Sequence, residues 1–243
     1  MNKVIIIGAG IIGMLTARML RKANVDVTLI EQGYAGKEST WAGGGIISPL
    51  YPWRYSEPVT VLAKWGQQHY PDILEAIKLE SGIDPEYLLS GLLYLDIEDE
   101  LETAEAWMQQ HAYPFEHLSS EALQRIEPGL NHKQVNSGWL TATIGQTRNP
   151  RLVRALQADL VKLGVDIKQQ TRADSFISEN GAVKGVKTDK GSFYADQVIV
   201  AGGAWSTRLL EKWLKAPKIA PVKGQMIVFK AEPGVVSHIV LSK

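Results

Sequence analysis

Val4-Ile5-Ile6-Ile7 is an apolar run with no alternation of polar and apolar positions. Such a run reads as a strand over 3–8, buried on both faces of a parallel sheet. Beyond Gly8 the period changes. Ile12, Leu15, Thr16 and Met19 recur at helical spacing, with Arg18, Arg21 and Lys22 on the other face. That pattern predicts an amphipathic helix whose apolar stripe faces the core. A second strand over 25–30 ends in Glu31, which completes a strand–turn–helix–strand unit.

Further along, Val59 to Gly82 reads as a long amphipathic helix and Tyr87 to Ile97 as strand material. Glu98 to His111 is an acidic helix, Ser119 carries a helix-start signal, and Ser137 to Thr143 is another strand. Asn149-Pro150 opens a helix that runs to Leu163, with proline in its first turn. Val165 to Ile167 is a strand. Residues 171–196 form a β-meander punctuated by Asn180-Gly181 and Lys190-Gly191. Gln197 to Ala201 is a further apolar strand, and it leads through Gly202-Gly203 into a helix to Leu214. Two antiparallel strands are expected at Ala220–Lys230 and Val235–Leu241. Segments of α/β character therefore occupy 1–85 and 147–216. Segments of different character, strands mixed with helices, fill 86–146 and 217–243, so the chain predicts two discontinuous domains.

Composition narrows the classes of function. An apolar content of 45% in 243 residues supports a packed core. The 26 basic and 26 acidic side chains cancel, which argues against nucleic acid as a partner. No apolar run approaches the roughly 18 residues that a transmembrane helix needs. Met1 to Ile7 open straight into a glycine turn, unlike a signal peptide. The absence of cysteine excludes disulfides, thiolate metal sites and a Cys nucleophile, and points to a reducing, cytoplasmic setting. The acidic run Glu98-Asp99-Glu100 with Glu102 and Glu105 has no histidine at ligand spacing, so no metal site is expected. His111 and His117 read as packing residues, and Trp65, Trp107, Trp139 and Trp213 as core or interface anchors.

The 22 glycines are clustered. Gly8, Gly10 and Gly13 form Gly-x-Gly-x-x-Gly between a predicted strand and helix. In that setting Gly8 allows the tight turn, Gly10 the approach of a pyrophosphate and Gly13 close helix–sheet packing. A carboxylate at Glu31 accepts ribose hydroxyls and repels a 2′-phosphate, which disfavours NADP. NAD and FAD stay open on this motif alone. The second cluster, Ser39-Thr40-Trp41-Ala42-Gly43-Gly44-Gly45-Ile46-Ile47-Ser48, lies where an NAD-type domain would simply enter its next helix. It lets backbone N–H groups approach a flat ring or a phosphate.

Here the sequence resembles the D-amino-acid oxidase family of FAD-dependent amine oxidases, and residues 39–53, ending Pro49-Leu50-Tyr51-Pro52-Trp53, look most like its glycine oxidase branch. Thr147-Arg148-Asn149-Pro150, Val198 through Ser206 and Pro221-Val222-Lys223-Gly224-Gln225 resemble three further segments of that family, in the same order. The resemblance implies a discontinuous, Rossmann-type α/β FAD domain beside an α+β substrate domain of mixed sheet. It implies that Gly8, Gly10, Ile11, Ile12 and Gly13 surround the diphosphate, that Glu31 binds ribose, and that Gln32 lies near the adenosine. Ser39, Thr40, Gly44, Gly45 and Ile46 would line the path from pyrophosphate to flavin, Ala173 would hold adenine, and Ala201 and Gly202 would lie against the cofactor. Some relatives tether flavin through a cysteine, or through a histidine following the loop's Trp. This chain has no cysteine and carries Ala42 after Trp41, so non-covalent FAD is expected.

The implied activity is oxidative deamination of glycine or a similar small amine, with oxygen as acceptor and hydrogen peroxide as product, in service of thiazole synthesis for thiamine. The alternatives are a D-amino-acid or sarcosine-type dehydrogenase, or a non-catalytic nucleotide-binding chain. A homo-oligomer stays open. Family members continue beyond the second substrate-domain strand, whereas this sequence stops at Lys243. The substrate domain is therefore expected to be incomplete at its C-terminus and to lack the family's substrate-binding arginine. No catalytic residue is assigned, and Arg54 and Arg148 are the arginines considered for that clamp. Trp53-Arg54-Tyr55 is expected at the substrate cavity or at a subunit contact.

Overall fold

The computed structural model describes residues 3–131, 135–211, 213 and 215–242. The chain opens with β1 (Lys3–Ile7), α1 (Ile11–Lys22) and β2 (Asp26–Ile30), followed by the one-turn α2 (Ser39–Ala42) and the long α3 (Glu57–Ser81). Next come β3 (Leu92–Tyr94), α4 (Leu101–Gln110), β4 (Glu116–Ser119), α5 (Ser120–Ile126) and β5 (Ser137–Thr141). Then follow α6 (Asn149–Lys162), β6 (Asp166–Lys168), β7 (Ala173–Glu179), β8 (Ala182–Thr188), β9 (Gly191–Tyr194) and β10 (Gln197–Val200). α7 (Ser206–Leu210) and β11 (Ile239–Leu241) complete the order. The predicted helix end at Leu214 lies outside the described residues. Two compact units result: Met1–Gly44 with Ala76–Pro85 and Asn149–Met226, and Gly45–Glu75 with Glu86–Arg148 and Ile227–Lys243.

The first unit is built on a parallel sheet of order β10-β1-β2-β6. Its unbroken apolar runs follow from burial on both faces: Ile5, Ile6, Leu29 and Ile30 are fully buried. The meander β7-β8-β9 turns at Asn180 (φ 52°) and Gly181 (φ 78°), and Phe176 and Val186 pack on Ile5, Ile7 and Ile30.

One sequence expectation is corrected here. Helix α1 does not bury the stripe that counting apolar residues suggests: Ile12 and Met19 are 65% and 68% exposed. The buried residues are Gly13, Met14, Ala17 and Arg18. Small residues let the helix lie close to its neighbours. Arg18 is tolerated inside because Asp159 of α6 and Glu80 of α3 neutralise it, each at 2.7 Å.

The second unit carries the sheet β11-β3-β5-β4, in which β11 is parallel to β3 and the other pairs are antiparallel. Its core joins Trp53, Leu92, Tyr94, Ile97, Met108, Trp139 and Ile144. Residues 45–75, expected with the first domain, pack in this unit instead. Trp53 sinks into that core, and Ile46 and Leu88 both bridge to Gln146. The Trp53 indole N–H donates to Glu100 Oε2 at 2.6 Å, and Arg54 bonds the same carboxylate while its guanidinium lies over Tyr51. Trp53 and Arg54 thus brace this unit internally.

The antiparallel pair expected at 220–230 and 235–241 is absent. Residues 220–230 form no strand and leave Val222 and Val228 93% and 90% exposed, while β11 is a three-residue parallel addition to β3. A strand needs a ladder partner, and 220–230 has none among the described residues. The strand material at 87–97 contracts to Leu92–Tyr94. Trp65, expected as an anchor, is 54% exposed, and Trp213, 43% exposed, packs its ring edge-on against Phe176 at 5.4 Å. Among the described residues no helix is long and apolar enough to cross a membrane.

Candidate functional site

The site grows from the end of β1. Ala201 donates its N–H to Ile7 O at 2.8 Å, bringing the residue after β10 against the turn that follows β1. Gly8 takes φ +105°, and a Cβ there would lie 2.4 Å from Ala201 O, so only glycine fits both the dihedral and the space. Gly13 is required for another reason: its Cβ would meet Gly8 O at 1.9 Å, so α1 could not start so close to the turn.

Gly10 is the N-cap of α1 and offers no side-chain cap, and the helix's first turn carries no acidic residue while Arg21 and Lys22 sit in its last. An N-terminus arranged this way favours an anion. Thr40 Oγ1 accepts the Ile11 N–H at 2.9 Å and stands 3.4 Å from where a Gly10 Cβ would be. It brings α2 to the head of α1.

Glu31 follows β2 and is 8% exposed. Its Oε2 accepts from Ala9 N–H and its Oε1 from Gly33 N–H, both at 2.9 Å. Two charge-assisted bonds hold the carboxylate in one orientation beside the glycine turn.

These groups border a cavity of about 670 Å³ that lies wholly within the first unit. The structure brings Gly8, Gly10, Ile11, Ile12, Glu31, Gln32, Ser39, Thr40, Ala173, Ala201 and Gly202 to its wall. Gly13 stands behind it as a packing residue. Gly44, expected on the same path, does not line it, and Gly45 and Ile46 belong to the second unit. Asn149 Nδ2 holds Gly43 O at 2.9 Å within the first unit, and Gly45 O accepts from Thr147 N–H within the second.

Sequence reasoning missed several wall residues, among them Tyr34, Lys37 and Glu38 after β2, Arg172 and Asp174 at the start of β7, Trp205 just before α7 and Arg208 within it. The i, i+2 and i, i+3 spacings of the last two pairs are the signals that were there to use. Arg172 Nε bonds Asp174 Oδ1 at 2.8 Å, and that hydrogen bond and charge raise the guanidinium's pKa, so it stays a cation. Lys37 Nζ sits 3.1 Å over the Trp41 ring.

Among the described residues no group of His, Cys, Asp or Glu could hold a metal ion. The two arginines considered for a carboxylate clamp belong to the second unit, where Arg54 is engaged by Glu100 and Arg148 pairs with Glu86 at 3.3 Å. A cradle that Gly8 and Gly10 keep free of side chains, an anion-favouring helix end and an oriented carboxylate fit the diphosphate and ribose of an adenine dinucleotide.

Comparison with known proteins agrees. Residues 3–241 match the family described as FAD dependent oxidoreductase. The chain is 40% identical over 243 residues to a glycine oxidase of Pseudomonas aeruginosa and 40% over 247 residues to one of Pseudomonas putida, covering 100% of this chain and 66% of each relative. It therefore spans about two thirds of the length of these curated relatives. The crystal structure of glycine oxidase from Geobacillus kaustophilus superposes with a TM-score of 0.91 at 24% identity, over 100% of this chain and 67% of that one, a likeness in fold. Glycine oxidase from Bacillus cereus gives 0.79 at 26% identity, over 88% and 58%.

Proposed function

The chain belongs to the family of FAD-dependent oxidoreductases, and on that premise we propose that it serves the oxidative deamination of glycine or a similar small amine, yielding the oxo acid, ammonia and hydrogen peroxide. The observation that carries this is the cavity built on Gly8, Gly10 and Glu31 in a chain 40% identical throughout to glycine oxidases. When bound, FAD supplies the acceptor for the electron pair of the amine's α C–H bond, with oxygen as the final acceptor.

The chain's own residues do the holding. The N-terminus of α1, braced by the Ile11–Thr40 bond, takes the diphosphate, and Glu31, already fixed by Ala9 and Gly33, accepts the ribose hydroxyls. Ala201 and Gly202, packed against the Gly8 turn, lie beside the cofactor in this reading, and Ala173 holds the adenine. Attachment is non-covalent, because no cysteine is present and Ala42 follows Trp41. A cytoplasmic place in the thiazole branch of thiamine synthesis belongs to the same proposal.

The test is uptake of FAD by the purified chain, followed by acid precipitation and a peroxide assay with glycine. Yellow supernatant and peroxide are expected. Colour that stays with the pellet overturns the non-covalent assignment, failure to take up FAD overturns the cofactor site, and uptake without peroxide overturns the assignment of glycine.

A further inference from the structure

Ala35 is 1% exposed, and two side chains from different elements take both of its peptide groups. Gln169, just past β6, accepts the Ala35 N–H at Oε1 (2.8 Å), and Gln157 of α6 donates from Nε2 to Ala35 O (2.9 Å). The neighbouring backbone is tied as well. Thr171 N–H donates to Glu31 O, Gln170 N–H to Gly33 O and Gly36 N–H to Ala9 O, each at 2.8 Å. Gln170 adopts φ 52° to make its bond. Gly36 takes φ +71° over Val153, whose Cγ1 a Cβ would approach to 2.6 Å. A connection between a strand and a one-turn helix is ordinarily a mobile stretch. This one is strapped from both sides, and the residues around the strap, Tyr34, Lys37 and Glu38, line the cavity next to Glu31.

We propose that Gln157 and Gln169 are positioning residues for dinucleotide binding: by gripping Ala35 they set the wall of residues 34–38 against the adenosine half of the ligand. The inference rests on the function proposed above. Ordering a loop at the moment of binding costs conformational entropy for every residue fixed. A wall already held in place avoids that cost, so the two amides act on affinity without touching the ligand.

The experiment measures the Kd of ADP by calorimetry, and the melting temperature without ligand, for the 243-residue chain and three variants. Gln157→Met and Gln169→Met keep side-chain length but lose the hydrogen bond. Gln169→Glu keeps an acceptor for the Ala35 N–H. Each Met variant is expected to weaken ADP about five- to tenfold, the worth of one net hydrogen bond, and Gln169→Glu to bind as the parent does. A purely structural role would lower the melting temperature and leave the Kd unmoved. That outcome, or an unchanged Kd in both Met variants, or a Gln169→Glu variant as weak as Gln169→Met, overturns the inference. A parent chain that binds neither ADP nor FAD overturns the cofactor site itself.

Discussion

Replacing Arg18 by methionine tests the electrostatics inside the first unit. The Arg18 side chain is 8% exposed and divides its donors between two carboxylates, with Nε on Asp159 Oδ2 and Nη2 on Glu80 Oε2. Asp159 is fully buried, and its Oδ1 has no hydrogen-bond partner among the described residues. Burial pushes the Asp159 carboxyl above its ordinary range, and the bond and charge of Arg18 offset only part of that. Burial would raise Glu80 too, but the hydrogen bond from Lys22 and the charge of Arg18 outweigh it and hold Glu80 low. Methionine fills the same length and leaves a buried, unpaired anion, a change that costs about 3–5 kcal/mol.

The cost depends on pH in a defined direction. A carboxyl whose pKa is higher folded than unfolded penalises the folded state as pH rises from the unfolded value, near 3.9, through the folded one. Without Arg18 the Asp159 pKa rises further, so the deficit grows as pH rises from the unfolded value through the folded one and is larger at pH 8 than at pH 5. Glu80 runs the other way: its stabilisation exists above the unfolded pKa and is lost on acidification. Lys22, at 2.6 Å, keeps part of it in the variant. Urea unfolding followed by circular dichroism at pH 5 and pH 8 reads the difference. Adding Asp159→Leu to Arg18→Met should restore most of the loss, because an apolar pair needs no compensation. A deficit under about 1 kcal/mol at pH 8, or one equal at both pH values, would refute the reasoning.

Two further outcomes follow from the geometry. In a helix interior Gly→Ala ordinarily stabilises by about 1 kcal/mol. Gly13→Ala should instead destabilise by about 1–2 kcal/mol and weaken FAD, because its Cβ meets Gly8 O at 1.9 Å; an unchanged or raised urea midpoint would show the turn to be slack. Glu127, whose side chain is 1% exposed, accepts at one oxygen from the backbone N–H groups of Ser237 and His238 and bonds the His238 ring, so Glu127→Ala should unpin β11. Deuterium uptake over 239–241 should then rise by about tenfold or more, and uptake like the parent's would place the anchor elsewhere.

Signals that are local in the chain were legible without coordinates. Strand runs such as Val4–Ile7, the Asn180-Gly181 hairpin and the proline at the head of α6 each express a preference confined to a few residues. The glycine turn with Glu31 is equally local, and most residues expected at the cofactor stand on one cavity wall.

Long-range facts were not legible. Which face of α1 is buried depends on Asp159, 141 positions away, and on Glu80, 62 away, because a guanidinium can go inside only where its counter-charges meet it. The unit that receives residues 45–75 is decided by the core into which Trp53 packs, and the fate of 220–230 by whether a strand lies beside it. The strap on Ala35 joins residues 122 and 134 positions apart, with no trace in either segment read alone. Sequence by itself determined the short-range sterics and periodicities that make the elements and the glycine cradle. Only the tertiary structure decided which charges, loops and aromatic residues could be buried, because that free energy is set by partners brought together through folding.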